Sequence, residues 1–271
     1  MIKALTAILL GLAVVAAVMW VPPVPFYSLI IVVAGLGALE FSKMFFTDAA
    51  ERMAVTFLVL LSAGSMLFYA NSPDFIVPVV GIIVFLACLF FMWRTSELSG
   101  VAQRIGLAVF AIMYLGFAFP MWGVIRLLPN GASLVLLALV PATLCDTFAF
   151  LAGKIFGRHK FAPSVSPNKT MEGFVGALLG SLMGTFVIKF LLLPELAAVH
   201  VVAISFIVWI TSPFGDLIES MLKRSCGVKD SGTIIPGHGG VLDRLDALIF
   251  TGPAAYLYIR YVILPQLSPL I

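Results

Sequence analysis

Apolar residues run through this chain in long unbroken stretches, cut at intervals by charges and prolines. About twenty consecutive apolar residues are needed to cross the hydrocarbon of a bilayer. Stretches near that length lie at 2–20, 26–41, 53–70, 75–93, 103–119, 133–151, 172–193, 198–218 and 245–264. Continuous apolarity suits helices, whereas a membrane β-barrel would show strict alternation. The pattern therefore predicts an all-α polytopic membrane protein with about nine transmembrane helices. The first stretch follows Lys3 as a signal peptide would. Further apolar spans come at once and no small-residue cleavage site precedes Pro22, so it reads as a retained helix.

Composition strengthens this picture. Of 271 residues, 62% are hydrophobic and 11% are charged, against about 25% charged residues in an ordinary soluble domain. A net charge of +3 is too small to argue for a nucleic-acid partner. Where the charges fall says more. With the N-terminus inside, the inner loops collect Lys43, Arg52, Arg94, Arg104, Lys154, Arg158, Lys160, Lys169, Lys223, Arg224, Lys229 and Arg244, and Lys3 joins them at the terminus, while only Arg126, Lys189 and Arg260 fall elsewhere. The tail from Pro265 then lies outside, and 120–132 reads as an outer short helix or partly re-entrant segment around Arg126. Cys88, Cys145 and Cys226 form no CxxC pair and suit packing or an inert loop thiol.

Chemistry is concentrated in the second half. Residues 1–132 read as a transmembrane scaffold region, and 133–271 as a catalytic region with cytoplasmic loops at 152–171 and 219–244. Asp146 sits inside an apolar span, where a carboxylate costs roughly 2.5–3.5 kcal/mol and usually faces a partner or polar cavity. Ser164 to Glu172 reads as a loop entering a helix, with Thr170 as N-cap and Lys169 beside a helix N-terminus that favours phosphate. If 216–224 is helical, Asp216, Ser220 and Lys223 share a face. Gly237, Gly239 and Gly240 flank His238 in a segment whose backbone N–H groups can approach phosphate oxygens closely. His159 and His200 read as interfacial polar residues. The alternation of spans would bring Asp146, Asp216, Asp243 and Asp246 to one membrane depth, beneath the basic loops. Carboxylates with no His or Cys cluster suit a hard cation such as Mg2+, and the surrounding cations suit phosphates. Together they point to phosphoryl or nucleotidyl transfer; the alternative is a salt-bridged loop that anchors helix ends.

The residues also carry a resemblance. Ser220-x-x-Lys223-Arg224, Lys229-Asp230-x-Gly232, Pro236-Gly-His-Gly-Gly and Asp243-Arg244-x-Asp246, at fixed spacings, resemble the signature of phosphatidate cytidylyltransferases. Asp146-Thr-Phe-Ala-Phe and Ser166-Pro-Asn-Lys-Thr-Met-Glu-Gly resemble that family's second stretch, with Asn168 where Lys is frequent and Phe150 where Tyr is common. The resemblance implies a multi-helix fold, often a homodimer, in which CTP and the membrane lipid phosphatidic acid meet Mg2+ at the cytoplasmic face, giving CDP-diacylglycerol and pyrophosphate. It implies Asp216 and Asp243 as metal ligands with Asp246 close behind, Asp146 as a weaker candidate, and room for a monovalent cation such as K+. By the same likeness Lys169, Lys223 and Arg224 hold phosphate oxygens, and Ser166, Thr170, Ser220, Asp230, Gly239 and Gly240 complete the substrate contacts. Lys229 and Arg244 either join them or pair with Asp230 and Asp246, and His238 donates to the leaving pyrophosphate or orders its loop. Compactness and resemblance suggest a bacterial inner membrane. Two other classes compete. A CTP-dependent lipid-alcohol kinase would share this chemistry but release CDP. A secondary transporter would show a midplane site and inverted repeats, and no repeat is visible here.

Overall fold

The structure is a computed structural model that describes residues 2–70, 72–95, 98–234 and 239–267. Helices dominate it: α1 (Ile2–Trp20), α2 (Pro23–Phe45), α3 (Ala49–Phe68), α4 (Ile76–Arg94), α5 (Val101–Ala111), α6 (Met121–Leu127), α7 (Gly131–Phe156), α8 (Met171–Leu192), α9 (Ala198–Ser225), α10 (Asp246–Tyr258) and α11 (Leu264–Leu267). Among the described residues, eight helical stretches are long and apolar enough to cross a membrane. These are the expected spans from 26–41 onward. α1 is helical throughout 2–20 as well, and its Gly11–Trp20 portion is a shorter apolar helix.

Two compact units make up the chain. One comprises Met1–Val21, Leu128–Lys229 and Arg244–Ile271; the other comprises Pro22–Leu127 and Asp230–Asp243. The division has one boundary at Leu127/Leu128. It also groups α1 with the helices of the second half and the 230–243 loop with those of the first. Sequence order hides both assignments, because each segment finds its packing partners far along the chain.

In the first unit, α7 and α8 form the closest pair. Their approach follows from small residues. A Cβ at Gly173 would stand 2.8 Å from the Ala149 carbonyl, one at Gly180 would collide with the Leu144 carbonyl, and one at Gly184 would stand 2.8 Å from Pro141 Cα. Helix backbones without side chains between them gain dispersion contact in lipid, where no hydrophobic drive brings helices together. Hydrogen bonds tie α8 to α9. Ser181 donates to the Ser205 carbonyl at 2.8 Å, Ser205 donates to Thr185 Oγ1 at 3.0 Å, and Trp209 Nε1 donates to the Phe174 carbonyl at 2.7 Å. His200 bonds Tyr258 and Gln266 at 2.9 and 2.8 Å, a packing role for a buried imidazole.

In the second unit, Tyr27 of α2 donates to the Ala63 carbonyl of α3 at 3.0 Å and lies against Gly123. Residues 121–127 form a short helix, α6, as the sequence suggested. They continue α5 through a π segment (Ile112–Ala118), forming one apolar stretch, Val101–Leu127, in which Met121, Trp122, Val124 and Ile125 are buried. The π turn is what lets the chain pass Pro120. Phe119 N bonds the Tyr114 carbonyl, and the wider turn relieves the clash a proline ring makes in a regular helix.

The connections at the functional end are shorter than the expected loops. α7 extends to Phe156 and α9 to Ser225, with Lys154, Lys223 and Arg224 in last turns where the helix dipole favours cations. Between α7 and α8 the chain forms a small antiparallel hairpin rather than an irregular loop, β1 (Lys160–Ala162) with β2 (Ser166–Thr170). The turn between them closes with Val165 N bonding the Ala162 carbonyl at 3.2 Å.

Candidate active site

The hairpin is seated by its neighbours on α8. Thr170 caps that helix, its Oγ1 accepting from Gly173 N at 3.1 Å. The Glu172 carboxylate accepts from Arg158 N at 3.1 Å and His159 N at 3.3 Å, and contacts His159 Nδ1 at 2.7 Å. Glu172 therefore fixes the approach to the hairpin, and His159 is fully accounted for by it.

This arrangement places Lys169 over a cavity of about 520 Å³ lined by Asp146, Phe150 and Lys154 of α7, Phe161 of β1, Asn168, Lys169 and Thr170 of β2, Phe174 of α8, and Pro213 and Asp216 of α9. Lys169 Nζ lies 2.7 Å from Asp216 Oδ2 and donates to the Pro213 carbonyl at 3.1 Å. Ser220 donates to Asp216 Oδ1 at 3.3 Å, so the predicted helical face does join Asp216 to Ser220. Asp146 and Asp246 lie within electrostatic reach of Asp216, and Lys169 supplies the opposing positive charge to Asp146. Asp246 opens α10, whose first turn meets α9 where Gly215 leaves room for the Asp246 carbonyl. One wall of the cavity is aromatic, with Phe161 stacked on Phe174 at 4.9 Å and Phe174 on Trp209 at 4.6 Å. A cation on a carboxylate group beside an apolar wall is suited to an amphiphilic phosphate.

Other candidates are placed differently. Lys223 is buried and pairs with Glu219, also buried, one helical turn earlier at 2.5 Å. Arg224 is exposed and donates to the Val228 carbonyl at 3.1 Å. Lys229, Asp230 and Arg244 are exposed, and Ser166 is half-buried in β2. Asp243 belongs to the second unit. Its Oδ2 accepts from Gly240 N at 2.7 Å, and from Ser231 N and Oγ at 3.0 Å each. Gly239 has φ +83, a conformation that favours glycine, and a Cβ there would stand 2.7 Å from Asp243 Oδ2. Gly237 and His238 lie outside the described residues. Among the described residues, no group of three or more His, Cys, Asp or Glu side chains is assembled to hold a metal ion. Two acidic residues escape a motif-based reading: Glu219, and Glu40 in the nominal scaffold. Both are buried, and a carboxylate inside an apolar run is the signal that marks them.

The fold and the cavity define an integral, all-helical polytopic membrane protein with an acid–base site framed by the last turns of α7, the start of α8 and the second half of α9. The comparisons with known proteins give that class a family. The profile of the cytidylyltransferase family matches residues 1–262, and the chain belongs to that family. It is 32% identical over 247 residues to the phosphatidate cytidylyltransferase of Thermotoga maritima, covering 88% of this chain and 89% of that one. Phosphatidate cytidylyltransferase 4, chloroplastic, of Arabidopsis thaliana is 52% identical over 116 residues, which is 42% of this chain and 29% of the plant protein. The Staphylococcus haemolyticus phosphatidate cytidylyltransferase is 41% identical over 143 residues, 53% of this chain and 54% of its own length.

Proposed function

We propose that this chain transfers the cytidylyl group of CTP to phosphatidic acid, giving CDP-diacylglycerol and pyrophosphate. The observation that carries the reading is Lys169 bound to Asp216 at 2.7 Å in an apolar-walled cavity, within the motif that the family resemblance rests on. A lipid phosphate needs both parts: cationic donors for its oxygens and an apolar surface for its chains.

In the reaction, a phosphatidate oxygen attacks the α-phosphorus of CTP. The new O–P bond forms as the bond from that phosphorus to the bridging oxygen breaks, and pyrophosphate leaves with the electron pair. A phosphomonoester has its second pKa near about 6 and is already largely anionic at neutral pH, so no general base is required. Lys169 exchanges Asp216 for a phosphate oxygen and holds it. Arg224, with Lys229 and Arg244, offers exposed cations for the remaining charge. Lys223 acts through its pair with Glu219, holding the last turns of α9. Ser166, Thr170 and Asp230 remain candidate substrate contacts by their place in the motifs. Gly239 and Gly240 contribute backbone rather than side chains.

The donor set fits Mg2+. Its oxygens are hard, and this ion commonly takes only one or two carboxylates while water and substrate phosphates fill the rest of its shell. Asp216, with Asp246 or Asp146 beside it, would hold it in the first unit; Asp243 is a ligand candidate by motif resemblance. Bound there, Mg2+ would supply charge neutralisation on the phosphate oxygens. K+ is proposed as a second cation on the resemblance alone. The same reading extends to nine spans with the N-terminus inside and the C-terminus outside, an active site at the cytoplasmic face of a bacterial inner membrane, and a homodimer. The bias of Lys and Arg toward alternate loops supports the orientation.

The test is pyrophosphate release by the purified protein in detergent, with the lipid product identified by mass. Pyrophosphate and a CDP-lipid are expected together, only with both substrates and Mg2+, and chelation should abolish both reversibly. CDP released with a phosphorylated lipid alcohol would replace this reading with kinase chemistry.

A further inference from the structure

Glu40 lies in α2, in the half of the chain that carries none of the motif residues, yet it is 1% exposed and its carboxylate is fully engaged. Oε1 accepts from Val241 N at 3.0 Å, and Oε2 accepts from Leu242 N at 2.8 Å and from Ser231 Oγ at 3.1 Å. Two consecutive backbone N–H groups on the two oxygens of one carboxylate form a bidentate, charge-assisted clamp, roughly twice as strong per bond as a neutral one. Ser231 in turn donates its backbone N–H to Asp243 Oδ2, and its single hydroxyl proton is shared between Glu40 Oε2 and Asp243 Oδ2. The glycines around the clamp make room for it. A Cβ at Gly232 would come within 2.5 Å of Glu40 Oε1, and one at Gly240 would strike Ser231 Oγ and approach Glu40 Oε2.

We infer that Glu40 is a positioning residue for cytidylyl transfer: its buried carboxylate fixes Ser231, Val241 and Leu242, and with them the setting of Asp243, Gly239 and Gly240. The inference rests on the proposed reaction, since the loop matters to catalysis only if its motif residues do. Glu40 itself holds backbone rather than substrate. It acts on chain 191 to 202 residues away, by holding a segment rich in glycine that would otherwise sample many conformations. Errors of about 1 Å in placing a reacting group can cost on the order of a hundredfold in rate. The effect should therefore fall on kcat.

The decisive variant is Glu40→Gln. It keeps shape, but the amide has one acceptor oxygen, so its NH2 end must face a backbone N–H. With the wild-type chain as reference, kcat for CDP-lipid formation should fall roughly 10–100-fold while KM for CTP changes less than about threefold. Hydrogen exchange in the peptide holding Val241 and Leu242 should quicken, with α7, α8 and α9 unchanged. Gly232→Ala, which pushes on the same carboxylate, should move both readouts in the same direction, and it serves alone if Glu40→Gln does not fold. An unchanged kcat would overturn the inference, as would faster exchange spread across the whole chain. A wild-type chain that makes no CDP-lipid would instead overturn the proposed reaction, and the exchange readout would still report whether Glu40 holds the loop.

Discussion

The Lys169–Asp216 pair offers the sharpest test of the site, because removing the cation affects stability and rate by different amounts. Lys169→Met keeps the length and apolar stem of the side chain while deleting its charge. In the free protein it removes one ion pair, with side chains 23% and 32% exposed, and one hydrogen bond to the Pro213 carbonyl. Exposed pairs contribute about 0–1 kcal/mol, and breaking a fully buried one costs about 3–5 kcal/mol. Partial exposure places this pair between those limits, so a stability loss of about 1–2 kcal/mol is expected. If Lys169 also holds a phosphate oxygen as charge develops, its loss should cost about 2–4 kcal/mol of transition-state stabilisation, or roughly 30- to 1000-fold in kcat/KM. The assay is CDP-lipid formation over a series of CTP and phosphatidate concentrations, run beside thermal unfolding in the same detergent. A variant that melts lower but keeps kcat/KM within about threefold of wild type would show that Lys169 is a strut for α9 and not a phosphate ligand.

Two further outcomes follow from the packing and the charges. Gly180→Leu must push its side chain into the Leu144 carbonyl on α7, so we expect a loss of about 1–3 kcal/mol or more of stability and a lower melting temperature; an unchanged melt would mean that α7 and α8 do not pack this closely. Arg94, followed by the backbone N–H of Ala50, holds the Asp48 carboxyl below its ordinary value of 3.8. A depressed folded-state value stabilises the fold above the unfolded value and is lost as pH falls through the folded one, so the melting gap between wild type and Asp48→Asn should persist at neutral pH and close in acid below about 4. A gap that stays constant into acid would contradict this.

What the sequence revealed depended on how local the physics was. Eight spans follow from apolar length alone, because lipid imposes the same demand on every turn of a crossing helix. The Thr170 cap and the Asp216–Ser220 face were legible because both act within four residues. The passage of helix through Pro120 was not, since a π turn leaves no composition signal and proline ordinarily reads as a stop. The hairpin at 160–170 was hidden for a related reason: two strands of three and five residues are too short for alternation to register. The candidate site divides along the same line. Motif spacing named Lys169, Asp216 and Lys223, but it did not show that Lys223 pairs with the buried carboxylate of Glu219 one helical turn earlier. Glu40 shows the limit most clearly. Its partners lie about 200 residues away, and no periodicity or local spacing connects them. The sequence carries only the cost, an acid in an apolar run, and in membrane proteins such a cost implies a partner before the partner can be named.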